Sequence, residues 1–490
     1  MTLYLGRAAT EAPRLSLRLH RPLLATATQL ISRRSQSSRQ AICSSRMITQ
    51  TNDVASAGVR GAATVSGSNK QPSSGDRDYS KFFTERSAAR QPSAIRTLQP
   101  LMTLPGMISL GGGNPNTVTF PFQDLTFTLK PEAGGGEVRV GAEDVQKALQ
   151  YSPTNGLPEF VAWLKDLQTT VHQPPYQDYH ICVGNGSQDV LTKAFEMLLD
   201  KGDSLLIEAP AYVGSLAFLK PLGCKFVEIP VDAQGLDPEK LESTLREWKD
   251  PSTRPKVLYT VPTGGNPTGI STSTERKRRI YDIAKQYDII ILEDDPYYYL
   301  QFQTPRAPTY FSLDTDRRVL RFDSLSKILS AGMRLGWVSG PKPLVDRIVL
   351  HGQTTLLHPS GVSQMLAYQL LNVWGVEGFL QHTERVTEFY RERRDAFLGS
   401  AERWLKGCAE WSVPDAGMFF WIKLLGISDS SDLIRTKAKE KKVLLVPGHE
   451  FFPNPRKTPY VRASYSTSDP ADMDEALKRL AELVRDETRK

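Results

Sequence analysis

The sequence predicts an α/β protein in which a mostly parallel sheet flanked by helices forms a large domain and a smaller α+β domain follows it. Three observations lead there. From about Tyr179 short apolar runs alternate with amphipathic stretches. Those runs end in polar or Gly/Pro-rich loops. The last ~110 residues change to long charged helices separated by strand-like pieces.

Taken in chain order, residues 1 to about 75 read as an extension outside the folded body. They are rich in Ser, Arg, Thr and Ala and end in the polar stretch Ser66–Asp78. An Arg-rich, Ser-rich, acid-poor segment has the composition of an organelle transit peptide, and Arg14–Leu19 with Leu23 and Leu24 forms a short basic amphipathic stretch. An unstructured tail, or an extension upstream of Met47, is the plainer alternative, so mitochondrial and cytoplasmic locations both stay open. Residues 76–140 are assigned to an N-terminal arm and part of the small domain, 141–380 to the large domain and 381–490 to the C-terminal small domain. Within the large domain Ser204–Ile207, Cys224–Val231, Lys256–Val261, Asp288–Leu292 and Val319–Phe322 read as strands, and Val190–Leu199 and Thr274–Gln286 as helices. Beyond them Val386–Trp404 and Pro470–Lys490 read as helices, and Met418–Ile422, Val443–Val446 and Tyr460–Ser464 as strands. His351 and His358 are placed on one helix ending near Pro359.

Composition removes several function classes. The formal net charge is +7, yet residues 1–50 hold eight arginines, no lysine and one acid, so that segment carries the whole excess and the rest of the chain balances. A charge-neutral body gives no footprint for nucleic acid. The four cysteines are scattered, without a C-x-x-C pair, which fits a reducing compartment. No apolar run reaches membrane-spanning length and the seven histidines show no metal-ligand spacing.

In an open parallel sheet ligands bind beyond the carboxyl ends of the strands. Five polar loops lie at such ends, and each holds a candidate. Lys327 follows a strand, sits beside Ser324 and Ser326, and precedes Arg334 by seven residues. Apolar surroundings and a nearby cation lower a lysine toward the neutral amine that Schiff-base chemistry needs; an ordinary salt-bridged lysine is the alternative. Gly184-Asn185-Gly186-Ser187-Gln188 opens a helix, a position suited to an anion, or else Ser187 is simply the N-cap. Asp294 can pair with a protonated heterocycle nitrogen, and Tyr297 and Asn266 can donate to a phenolate oxygen; solvated turn residues are the alternative. Tyr212 can stack on a ring or pack in the core.

These loops in this order resemble the fold-type I, class I/II aminotransferases, and within them the kynurenine/α-aminoadipate aminotransferases and the fungal aromatic aminotransferases. The resemblance runs from about Tyr79 to Leu483. It rests on Ser93-Ala94-Ile95-Arg96, Leu149-Gln150-Tyr151-Ser152-Pro153, Gly186-Ser187-Gln188, Pro210-Ala211-Tyr212, Asn266-Pro267-Thr268-Gly269, Glu293-Asp294-Asp295-Pro296-Tyr297-Tyr298, Ser324-Leu325-Ser326-Lys327 and Arg462-Ala463-Ser464. It implies a pyridoxal 5'-phosphate-dependent transferase whose large domain binds the cofactor, with Lys327 as the imine lysine and proton carrier. It implies Asp294 as partner of the pyridine nitrogen, Asn266 and Tyr297 as donors to the ring oxygen, and Tyr212 as the stacking residue. Ser187, Gln188, Ser324, Ser326 and Arg334 match the phosphate cradle. Tyr151 is similar to a residue that reaches the neighbouring subunit's phosphate or substrate, which implies a homodimer with shared sites. Arg462 matches the clamp on the substrate α-carboxylate, with Asn266 beside it. Arg96 and Gly113 resemble the part that covers the side-chain pocket, and the stretch Phe82–Arg96 is expected to move. The chain departs from the family at Thr263-Gly264-Gly265 and at Asn114, positions that bear on side-chain preference.

The expected reaction is amino transfer from an aromatic amino acid, kynurenine or 2-aminoadipate to 2-oxoglutarate by a ping-pong cycle. Elimination, decarboxylation or cyclisation on the same cofactor is the alternative chemistry. A transcription regulator built on this fold is the alternative class; against it, residues 1–75 show no helix-turn-helix periodicity.

Overall fold

Ile289–Leu292 is four consecutive apolar residues. A strand this uniformly apolar must be covered on both faces, and that requirement shapes the fold. The computed structural model describes residues 77–489 apart from Thr103; the extension read over residues 1–75 lies outside the described residues.

A two-stranded hairpin, β1 (Leu125–Thr128) and β2 (Glu137–Val140), precedes the main sheet. That sheet holds β3 (Tyr179–Asn185), β4 (Ser204–Ala209), β5 (Lys225–Asp232), β6 (Gly235–Leu236), β7 (Val257–Thr260), β8 (Ile290–Asp294), β9 (Val319–Ser324) and β10 (Leu335–Pro341), in the order β3-β10-β9-β8-β7-β4-β5-β6. The run β9-β8-β7-β4-β5 is parallel throughout. β10 is antiparallel to both neighbours, and two-residue β6 turns back on β5. A four-stranded antiparallel sheet, order β11-β12-β14-β13, is built from β11 (Ala409–Trp411), β12 (Phe419–Leu424), β13 (Val446–Pro447) and β14 (Tyr460–Ser464).

Each sheet has its own apolar core. Residues of β3, β4 and β7 to β10 pack with the helices Pro158–His172, Ser187–Leu198 and Thr274–Gln286 in one cluster. Phe420, Ile422, Val461 and Tyr465 pack with the helix Pro470–Thr488 in the other. The helical stretch Gly361–Trp404 serves both, with Met365 and Leu371 in the first core and Phe397 and Ala401 in the second. It bends at Gly375, whose φ of +63° is a left-handed conformation that glycine adopts without Cβ strain.

On the face of β8 and β9 turned away from Asp294 lies a buried charge cluster. Arg321 contacts Asp323 at 2.7 Å, Asp295 at 2.9 Å and Glu293 at 3.4 Å, and its guanidinium lies 4.9 Å from the Tyr298 ring centre. Gln168 Nε2 donates to the other Asp323 oxygen at 2.9 Å. Burial lifts the Asp323 carboxyl to about 6 even though Arg321 opposes the shift. His172 next to this cluster is held well below the ordinary imidazole value, first by burial and then by Arg321 and Lys277, so it is neutral.

Several expected elements differ in their limits. Strand β8 starts at Ile290 because Asp288 takes a left-handed turn, φ +58°. The helix expected from Val386 begins at Gly361, since a Gly/Ser/Gln-rich start concealed its apolar face. Val443–Val446 does not form a strand as a whole: Val443 N–H bonds back to Ala438, Leu444 is exposed, and pairing begins at Val446. His358 is not on the helix of His351, which ends at Thr355 before Leu357 turns left-handed. The stretch Phe82–Arg96 is anchored at its start, where Phe82, Thr84 and Ser87 are buried and Ser87 Oγ bonds His351 Nε2 at 2.9 Å.

Removing Arg321 leaves three buried acids without their cation. Arg321→Met is expected to cost about 3–5 kcal/mol of stability. Burial raises the folded-state carboxyl value above the unfolded one, so this penalty is absent in acid and grows as pH rises. The urea midpoint of the variant should therefore fall more steeply than that of the wild type from about pH 5 to pH 8. Parallel midpoints would reject the assigned role.

Candidate active site

The carboxyl edge of the parallel strands opens on a cavity of about 350 Å³, and each strand end delivers side chains to it. At the end of β3, Gly186 has φ +84° and precedes the helix Ser187–Leu198. That left-handed φ favours glycine, and the Arg334 guanidinium packs against the space a Cβ would take. Ser187 is the first helical residue and makes no capping bond, contrary to the simple N-cap reading; Gly186 takes that place. Ser187 and Gln188 instead line the cavity at the positive end of the helix dipole.

The reversed direction of β10 puts its first residues at this same edge. Arg334 stands just before Leu335, whose register partner is Asn185, and its guanidinium donates to Ala331 O at 3.2 Å and Asn185 O at 3.4 Å. Ser324 ends β9, and its Oγ accepts from Ser326 N–H at 3.2 Å. Lys327 follows. Burial, then the charges of Arg334 and Arg462, hold its amine below the ordinary lysine value.

Tyr212 stands directly before the helix Val213–Leu222 and lines the wall. Asn266 comes from the loop after β7. That loop is held by Gly264, φ +53°, packed so closely on Ala416 and Gly417 that a Cβ would lie 2.8 Å from their backbone. Asp294 is the last residue of β8, and its Oδ2 accepts from Tyr259 Oη at 2.8 Å. Burial pushes its carboxyl up to about 7; the Tyr259 hydrogen bond opposes the shift, and Asp295, Asp323 and Glu208 add to it. Tyr297, three residues on, is buried, and burial raises its phenol while a bond from Asn266 works the other way. From the smaller sheet Arg462 reaches across to donate to Asn266 Oδ1 at 2.9 Å, with its guanidinium 4.3 Å from the Phe419 ring centre.

One cavity thus brings together Lys327, Asp294, Tyr297, Ser187, Gln188, Tyr212, Asn266, Ser324, Ser326, Arg334 and Arg462. It does not include Arg96, Gly113 or Tyr151. These line a separate cavity of about 230 Å³ with Asn114 and Leu357, where Arg96 Nη1 donates to Ser152 O at 3.0 Å. Sequence reasoning did not pick out Val261 and Phe419 of the cavity wall, nor Tyr259 behind Asp294. Phe419 and Tyr259 lie in apolar strand runs that read as core. The two-residue spacing of Phe419 and Trp421 on β12 was the one available signal for a shared face.

The donor set fits pyridoxal 5'-phosphate. Two serines on one side, Ser187 and Gln188 at a helix start, and Arg334 form an anion cradle. Asp294 makes no ion pair among the described residues and so suits a cationic ring nitrogen. Lys327 is an amine lowered toward its neutral form. These features define a pyridoxal phosphate-dependent transferase of fold type I.

The sequence profile of the family "Aminotransferase class I and II" matches residues 107–480. The mitochondrial kynurenine/alpha-aminoadipate aminotransferase of Rattus norvegicus is 47% identical over 425 residues, covering 84% of this chain and 99% of the relative. The aromatic amino acid aminotransferase C569.07 of Schizosaccharomyces pombe is 34% identical, covering 84% and 98%. The crystal structure of aminotransferase Aro8 from Candida albicans superposes with a TM-score of 0.78 at 29% identity, covering 84% and 99%. The chain belongs to the class I and II aminotransferase family, whose members use pyridoxal phosphate, and it is a transaminase.

Proposed function

We propose that this protein moves the amino group of an aromatic amino acid, kynurenine or 2-aminoadipate to 2-oxoglutarate by a ping-pong cycle. The observation that carries the chemistry is the convergence of Lys327, Asp294 and Arg462 on one cavity beside an anion cradle. The substrate class is supported by the names of the relatives.

Ser187, Gln188, Ser324, Ser326 and Arg334 would hold the cofactor phosphate, Tyr212 would stack on its ring, Asp294 would pair with the ring nitrogen, and Asn266 and Tyr297 would donate to the ring oxygen. When bound, pyridoxal phosphate supplies an electron sink for charge that develops at the substrate α-carbon. Arg462 binds the α-carboxylate, in a planar two-point contact that lysine cannot reproduce. Phe419 fixes the guanidinium plane. Lys327 Nζ, held below the ordinary lysine value by burial and then by Arg334 and Arg462, is the group placed to take the proton from the α-carbon. Asp294, shielded from water, holds a proton on the atom it faces.

A panel of amino donors with 2-oxoglutarate tests the reading. Turnover is expected with tyrosine, kynurenine or 2-aminoadipate, and Lys327→Ala should lower kcat at least about 10⁴-fold, the order of a lost general base. Release of ammonia or carbon dioxide in place of a 2-oxo acid would reject amino transfer.

We infer further that the active protein is a homodimer. Ile95, Ile108, Leu110, Val118 and Phe122 are each at least 64% exposed. Apolar side chains concentrated in one segment mark a surface that a partner covers, and a second copy would bring Arg96, Gly113 and Tyr151 to the substrate side of its neighbour's site. Light scattering is expected to give the mass of two chains at micromolar concentration; the mass of one chain would overturn this.

Residues 1–75 are inferred to direct the chain to mitochondria, as their nine arginines against two acids and the naming of the rat relative suggest. Fused to a fluorescent protein, this segment should co-localise with a mitochondrial dye, and a diffuse signal would refute it.

A further inference from the structure

Asp294 receives one hydrogen bond among the described residues, and it comes from a chain of two hydroxyls. Ser215 Oγ donates to Tyr259 Oη at 2.9 Å, and Tyr259 Oη donates to Asp294 Oδ2 at 2.8 Å. Both donors are buried, Ser215 completely and Tyr259 at 1% exposure. The geometry is set by the sheet. Tyr259 on β7 pairs with Leu292 on β8, so its side chain shares a face with Asp294 two residues further along. Ser215 lies in the first turn of the helix that Tyr212 precedes, so the ring wall and the end of the chain of hydroxyls are parts of one turn.

We propose that Tyr259, backed by Ser215, is the positioning residue for Asp294: it fixes Oδ2, leaves Oδ1 to the cavity and keeps the carboxylate ionised. This rests on the reading of Asp294 as partner of the cofactor nitrogen. The surroundings explain why a donor is required. Three acids lie behind Asp294 on the other face of the sheet, Glu208 on β4, Asp323 on β9 and Asp295 just after β8, and each raises its carboxyl; the phenols of Tyr212 and Tyr297 stand on its cavity side. The cation nearest these acids, Arg321, is engaged by Glu293, Asp295 and Asp323 on the other face of the sheet. Burial among acids favours the neutral carboxyl, and a donated hydrogen bond favours the charged one. Tyr259 is therefore the one group behind Asp294 that holds it charged. A serine donating into the tyrosine oxygen makes that hydroxyl a stronger donor in its turn.

Pyridoxamine 5'-phosphate is the probe that isolates this role, because it binds the apoprotein without forming an imine to Lys327. Its affinity is read by fluorescence titration from pH 6 to pH 9 (about the range in which Asp294 ionises). Wild-type affinity is expected to strengthen as Asp294 ionises near 7. In Tyr259→Phe the carboxyl loses a donor and its value rises, so the same limb should move upward by about one pH unit, with binding at pH 7 about fivefold weaker. In the loaded enzyme kcat should drop by a similar factor while the KM for the amino donor, set by Arg462, stays within about twofold. Ser215→Ala, which leaves the aromatic ring in place, should shift the limb in the same direction by a smaller step. It decides the matter if Tyr259→Phe does not fold.

A wild-type limb and affinity in Tyr259→Phe, or in Ser215→Ala where only that variant folds, overturns the proposal. Asp294→Asn separates the two ideas. Loss of the limb in Asp294→Asn together with a wild-type limb in Tyr259→Phe rejects the hydroxyl chain alone. A limb that persists in Asp294→Asn rejects the nitrogen-partner reading and the proposal with it.

Discussion

A carboxylate buried without a cation is the constraint around which this site is arranged. Asp294 closes a strand buried along its whole length, where an ionised acid is costly unless something compensates it. Its neighbours Glu293 and Asp295 point to the opposite face and are neutralised there by Arg321. On the cavity face the described residues offer Asp294 one hydroxyl, that of Tyr259, and no paired cation. An acid whose carboxyl sits near 7 when the protein stands alone is poised to gain most from a cationic partner.

The remaining groups reach that acid through strand direction. Parallel strands present all their carboxyl ends along one edge, so five loops arrive together without long excursions of the backbone. Strand β10 runs the other way, and its start, not its end, falls at this edge. Arg334 thereby stands opposite the first turn of the helix Ser187–Leu198, its guanidinium packed against Gly186. The smaller sheet supplies one further group, Arg462. Its contact with Asn266 links the proposed carboxylate clamp to the loop that would also serve the ring oxygen.

The two cavities follow from the same logic. The first is lined by strand ends of the large sheet together with Phe419 and Arg462 of the smaller one, all from a single chain. The second, with Arg96, Gly113 and Tyr151, lies beside the exposed apolar segment of the N-terminal arm. In the proposed dimer this division would leave coverage of the substrate to surfaces that association completes.

How much of this was legible in the chain depends on the range of the interaction concerned. Tyr460–Ser464 and Thr274–Gln286 were readable to the residue, because period and capping are local properties. Local too were Lys327, Asp294, Asn266, Tyr212 and Ser187, each marked by a polar loop after an apolar run. The limits of Val443–Val446 were not, since Val443 is claimed by a bond to Ala438 that no pattern of hydrophobicity encodes. Tyr259 looked like core because it is core; its hydroxyl gained a role only when β7 and β8 were placed side by side in a fixed register. The sequence by itself determined which groups could do the chemistry and on which loops they ride. Tertiary structure alone decided which of them share a cavity, that Arg96, Gly113 and Tyr151 stand apart from it, and that Tyr259 donates to Asp294. The reason is physical: strand order, strand direction and burial are set by contacts between residues far apart in the chain, and those contacts fix distances and local dielectric, which residue identity does not carry.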